Sequence, residues 1–199
     1  MTNKALKDFR NVIHKNLKIE PQNAKSSCFI VEEDKKESLI KRIQFTFKNQ
    51  DDVLIIKQDK NESLKKNYTI ENLFEQNSPN TNCCCDFIVF LKSKSNGLTI
   101  YYCEIKSCHC EQYLNEAIHQ AESSRLFVLH LLEYYSYLYG DTLEFEHFYQ
   151  FYIYPKINIS SKLPPYKKGN KTIYPKPIEV DNQGCANILN GYEFFTALN

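Results

Sequence analysis

Three ionisable residues stand out for the chemistry they can do together: Asp86, Glu104 and Lys106. Two carboxylates held a few ångströms apart repel each other, and a divalent cation relieves that repulsion. Two carboxylate oxygens, a backbone carbonyl such as that of Ile105, and several waters have the hard-oxygen character that Mg²⁺ or Mn²⁺ prefers. A lysine beside such a cation can orient or deprotonate a bound water, or stabilise charge on a phosphate in the transition state.

The elements around these residues predict that they meet. Residues 85–92 and 98–106 are rich in β-branched and aromatic side chains, and Ser-Lys-Ser-Asn-Gly (93–97) between them reads as a hairpin connection. A symmetric loop centred on Ser95 sets Asp86 opposite Glu104, Ile88 opposite Tyr102 and Phe90 opposite Ile100. Opposed Cβ atoms in such a pair lie about 4.5–5.5 Å apart. Strand alternation adds Lys106 to the same face as Glu104 and turns Ile105 away. It also predicts that Cys85 and Cys103 lie on the other face, packed as small hydrophobes. An apolar face ending in three ionisable groups reads as the edge of a site. The plainer alternative is an exposed Glu104–Lys106 pair, worth about 0–1 kcal/mol.

Other elements follow from periodicity. Leu6, Phe9, Val12, Ile13 and Leu17 predict an amphipathic helix over 3–17 that ends before Pro21. Residues 28–31, 43–47 and 53–57 read as strands, with 34–42 open to a helix, 68–75 as a short helix and 76–82 as a loop. Leu114, Ala117, Ile118, Ala121, Val128, Leu132 and Tyr135 predict a long helix over 112–139, with Gly140 as its C-terminal stop. A strand over 148–157, a Lys- and Pro-rich loop over 160–177 and a final helix over 186–198 complete the chain.

Length and composition bound the class. A chain of 199 residues without repeats is expected to form one α/β domain spanning 1–199. No apolar run is long enough for a membrane helix and the first twenty residues have no apolar stretch of the secretory kind, so a cytoplasmic protein with no membrane partner is expected. The net charge of +1 excludes binding to a polyanion by bulk charge. That total is segregated: +5 over 1–66, −1 over 67–107, −6 over 108–150 and +3 over 151–199. Lysines outnumber arginines 22 to 3, which suits phosphate contact more than base reading. Lys167, Lys168 and Lys171, beside Tyr166 and Tyr174, are candidates for a phosphate backbone, with a solvated loop as the alternative.

The eight cysteines include three in a row (83–85) and lack the paired two-residue spacing of a zinc ribbon, so reduced, buried thiols are expected. Cys108 and Cys110 flank His109 with single-residue gaps, and the remaining histidines are isolated. Tyr134, Tyr135, Tyr137 and Tyr139 fall on several faces of the long helix, so some must be exposed or meet a protein partner or a second copy of the chain.

Asp86, a hairpin, and then Glu104-Ile105-Lys106 resemble the PD-(D/E)xK nuclease superfamily, over roughly residues 83–130. The resemblance implies a restriction-endonuclease-like αβββαβ core, a mixed sheet flanked by helices. It also implies Mg²⁺- or Mn²⁺-dependent hydrolysis of phosphodiester bonds in nucleic acid, DNA more than RNA, in defence against foreign DNA or in DNA processing. Asp86, Glu104 and the Ile105 carbonyl would hold the metal, Lys106 would position the attacking water or the phosphate, and Gln120 on the following helix would be a secondary, orienting residue. Cys85 stands where Pro is common, Ser107 where Gly is common, and Ser124 where RecB-like members carry Tyr. Members often add an acid from the first helix or just after it, for which Asp8, Glu20 and Glu37 are the candidates. The competing class is a non-catalytic binding or assembly module of the same fold.

Overall fold

The computed structural model describes residues 3–23, 26–57, 84–93, 97–140, 142–156 and 163–198. The expected helix over 68–75, the loop over 76–82 and the centre of the 93–97 connection lie outside them. The chain forms α1 (Asn3–Val12), β1 (Lys18–Ile19), β2 (Cys28–Glu32), β3 (Arg42–Thr46) and β4 (Val53–Ile56). It continues through β5 (Phe87–Lys92), β6 (Leu98–Ile105), α2 (Glu111–Tyr139), β7 (His147–Pro155), β8 (Tyr166–Lys168) and β9 (Lys171–Ile178). β10 (Cys185–Ile188) and α3 (Gly191–Thr196) end it.

The fold is mixed α/β. Seven strands form a mixed sheet in the order β1-β4-β5-β6-β7-β9-β8. β4, β5 and β6 run as an antiparallel meander, whereas β6–β7 and β7–β9 are parallel. The β6–β7 step is parallel because α2 carries the chain back along the sheet, as a crossover must. A smaller sheet has the order β10-β3-β2.

Alternation along β5 and β6 sorts the two faces. Ile88, Phe90, Ile100 and Tyr102 bury against Leu6, Phe9 and Ile13 on the α1 side and Val128, Leu132 and Tyr135 of α2. Phe87, Val89, Leu91, Tyr101, Cys103 and Ile105 bury on the other face, against Val31, Ile43 and Phe45 of the small sheet and Phe195 of α3. Both long helices therefore cover one face. The second face is covered by the small sheet and the short helix α3.

Three expectations shift. α1 stops at Val12, and residues 15–17 form a 3-10 turn in which His14 Nδ1 accepts the Asn16 N–H at 3.3 Å. Residues 33–41 are a loop rather than a helix, because Glu32 pairs with Arg42 and the Glu33 N–H continues the ladder to Lys41 O at 2.9 Å. The expected final helix is split: Cys185–Ile188 pair with β3 as a strand, and Asn190 then caps α3 by accepting the Glu193 N–H at 3.2 Å.

The Lys- and Pro-rich segment is a hairpin, β8–β9, despite Pro175 and Pro177 lying inside β9. The Lys156 N–H donates to Ile178 O at 2.8 Å, so even-numbered residues of β9 turn their backbone groups toward β7. The prolines occupy odd positions, where the missing N–H faces the open edge beyond β8 and no ladder bond is lost.

Candidate functional site

The hairpin register is the one the loop length predicts: Phe87 pairs with Cys103, Ile88 with Tyr102 and Phe90 with Ile100. Asp86 sits one residue before β5, at a bend, and Glu104 is the penultimate residue of β6. The Ile105 N–H points toward β5, where continued pairing would offer it the Cys85 carbonyl. Asp86 Oδ2 takes that position instead, accepting the N–H at 2.6 Å. The Asp86 carboxylate is thus fixed by the end of the sheet itself. Ile105 is buried, and its N–H is the backbone group that meets Asp86.

That bend corrects one expectation. Cys103 packs beneath the small sheet, but Cys85 lies on the helix-covered face, because alternation starts only at Phe87. The Cys85 N–H donates to Ser124 Oγ of α2 at 2.9 Å, and its thiol donates to Phe87 O at 3.3 Å. Ser124 is fully buried. It ties the long helix to the residue preceding Asp86, and its place on the buried stripe of α2 was the sequence signal for it.

Glu104 is 1% exposed, although it is a carboxylate. The Lys106 ammonium pairs with Oε1 at 2.8 Å, whereas Oε2 has no hydrogen-bond partner among the described residues. Burial, reinforced by the nearby charge of Asp86, holds the Glu104 carboxyl up, to about 8, against the opposing pull of Lys106. Burial also raises Asp86, to about 6, with Lys35 opposing it and Glu33 adding to it. Lys106 stays inside, 15% exposed, its ammonium 5.7 Å from the ring centroid of Tyr113 in the first turn of α2.

The structure adds two groups from the loop between β2 and β3. The Lys35 ammonium lies 3.5 Å from Asp86 Oδ1 and 3.9 Å from Glu33 Oε2. Burial works to lower Lys35, but Asp86, Glu33 and Glu104 outweigh it and raise it. The loop is held over the site by the Leu39 N–H donating to Ser107 Oγ at 3.1 Å and by Lys41 Nζ donating to the carbonyls of Lys35 and Lys36 at 2.8 and 2.6 Å. The N-terminal acid whose charge acts on Asp86 is therefore Glu33 rather than Asp8, Glu20 or Glu37. Glu20 pairs with Lys18 at 3.2 Å, and Glu37 is exposed.

Gln120 lies on α2 one turn before Ser124. Its Oε1 is buried without a hydrogen-bond partner, and among the described residues no hydrogen bond joins it to Asp86, Glu104 or Lys106. His109 packs between the rings of Tyr152 and Tyr154, and burial lowers it. Lys167, Lys168 and Lys171 belong to the β8–β9 hairpin. Their level on the sheet is the beginning of β7, whereas Glu104 pairs with Tyr152 further along. They stand toward the other end of the sheet.

The donor set tests whether a divalent cation suits the site. Asp86 and Glu104 supply hard oxygens, and Glu104 is a buried acid whose Oε2 no donor satisfies. That chemistry fits such an ion. Among the described residues no group of three or more His, Cys, Asp or Glu side chains is arranged to hold a metal ion. Asp86 and Glu104, with Glu33 across Lys35, are the carboxylates this site offers.

No family model, no curated protein and no solved structure matches the chain. No helix of the described residues is long and apolar enough to cross a membrane.

Proposed function

We propose that the chain is a metal-dependent nuclease of the PD-(D/E)xK kind, acting on DNA more than RNA. The observation that carries this reading is a buried carboxylate, Glu104, with Oε1 paired to Lys106 and Oε2 unsatisfied, set at a strand end beside Asp86. The antiparallel meander β4–β5–β6, followed by α2 and the parallel strand β7, supports it, with the acids at the open end of the central hairpin.

A bound Mg²⁺ or Mn²⁺ would supply Lewis-acid activation of water and neutralisation of phosphate charge. Asp86 and Glu104 would hold it. Asp86 keeps one oxygen on the Ile105 N–H, which leaves the other, Oδ1, on the side of the Lys35 ammonium. Lys106 is fixed between Glu104 and the Tyr113 ring, so its ammonium is positioned to hold a water or a non-bridging phosphate oxygen with little freedom to lose. The cytoplasm and roles in defence or DNA processing belong to this same reading.

Incubation with plasmid, linear duplex, single-stranded DNA and RNA tests the proposal. Cleavage is expected with Mg²⁺ or Mn²⁺, none with EDTA, and a loss of at least about 100-fold in Glu104→Gln and Lys106→Ala. Intact substrates with every cation would leave the non-catalytic binding module as the reading. Cleavage that survives both substitutions would remove these residues from the chemistry.

A further inference from the structure

The two lysines of the site are not equivalent, and the difference gives Lys35 a role. Lys106 is enclosed, whereas the Lys35 side chain is 53% exposed and reaches the acids from outside. Its backbone is pinned on both sides: the Lys35 N–H donates to Glu33 Oε1 at 3.0 Å, and Lys35 O accepts from Lys41 Nζ at 2.8 Å. A fixed root with a free end lets the ammonium leave without moving the loop.

What the ammonium occupies matters. Asp86 Oδ2 is committed to the Ile105 N–H, so Oδ1 is the oxygen left for a cation, and Lys35 stands 3.5 Å from it. Glu104, 1% exposed beside it and with Oε2 unpartnered, is the independent sign that a cation is wanted here besides Lys106. Three carboxylates, Glu33, Asp86 and Glu104, face two ammonium groups, Lys35 and Lys106.

We propose that Lys35 is a resident counter-ion of Asp86 that competes with a divalent cation for Oδ1 and yields its place when the cation binds. It is a positioning residue, acting on site occupancy through Asp86. This inference rests on the metal-binding part of the proposed function, but not on catalysis.

Titration calorimetry with Mn²⁺, on the full chain without nucleic acid, tests it. Lys35→Gln is expected to bind Mn²⁺ about two- to fivefold more tightly than wild type, the range for releasing a partly exposed ion pair. Lys35→Arg, which keeps the charge, stays near wild type. Lys36→Gln makes the same charge change on the same loop and separates direct competition from general field effects. Equal affinities for Lys35→Gln and wild type, or equal gains for Lys35→Gln and Lys36→Gln, would overturn the proposal while leaving the metal site standing. Absence of Mn²⁺ binding in every variant would overturn both. Thermal melts of the variants confirm that each is folded.

Discussion

At the scale of single residues, Glu104 is the most consequential group in the molecule. A carboxyl held at about 8 in the folded chain but near its ordinary value when unfolded keeps its proton on folding across the intervening pH range. There the folded state binds more protons than the unfolded one, so raising the pH weakens folding, and the loss is complete above about 8. Asp86 adds to the same trend up to about 6. The metal-free protein is therefore expected to be more stable at pH 5 than at pH 8, by on the order of a few kcal/mol. Glu104→Gln should flatten most of that slope and raise stability at pH 8. Urea titrations at several pH values check this, and an unchanged slope in the variant would mean Glu104 is not its source. The residue scale also shows what sequence can miss. Asp86, Glu104 and Lys106 were legible from type and spacing, but Glu33 and Lys35 were not. They lie about fifty residues earlier in the chain, on a loop whose partners no local pattern names.

Among the elements, α2 does more than cover the sheet. Its stripe of Leu114, Ala117, Ile118, Ala121, Val128, Leu132 and Tyr135 is buried as the periodicity predicts. Tyr134, Tyr137 and Tyr139 turn outward while Tyr135 is core. Further along the helix, Glu122 accepts from Gln150 Nε2 of β7 at 2.7 Å and lies 3.5 Å from the Lys171 ammonium of β9, tying α2 across two parallel strands. Ser124 in the buried stripe anchors the Cys85 N–H, and through it the bend that carries Asp86. Ser124→Ala would leave that N–H buried without an acceptor, at a cost of about 1–3 kcal/mol. Ser123→Ala, one residue away and off the stripe, should cost less than about 0.5 kcal/mol. Chemical denaturation of both variants measures the difference, and equal costs would show that the anchor contributes nothing.

On the scale of the whole molecule, the two sheets are joined by an aromatic layer centred on Phe195. Its ring lies 5.1–6.3 Å, centroid to centroid, from Phe45 and Phe47 of the small-sheet side and from Tyr101 and Phe151 of the large sheet. Buried Lys176 holds α3 in place through the Phe194 carbonyl at 3.0 Å and the Ala197 carbonyl, with its ammonium 4.6 Å from the Phe151 ring centroid. Phe195→Ala should cost about 3–5 kcal/mol, because the cavity opens between two sheets that cannot both collapse into it. Thermal and urea unfolding would show it, and a cost below about 1 kcal/mol would mean the sheets close without this ring. The same closure positions the site, since the small sheet brings the loop over 33–41 to the end of the central hairpin.

The features legible in the bare sequence are local. A five-residue turn and period-two alternation fix the hairpin register, and period 3.6 fixes the buried stripe of α2. These depend on neighbours close in the chain. Tertiary structure alone decided the rest: Cys185–Ile188 as a strand beside β3, Pro175 and Pro177 within β9, Ser124 as an anchor, and Lys35 against Asp86. Each depends on a partner from twenty-odd to well over a hundred residues away in the chain. The burial and pairing that select it exist only once the two sheets have met.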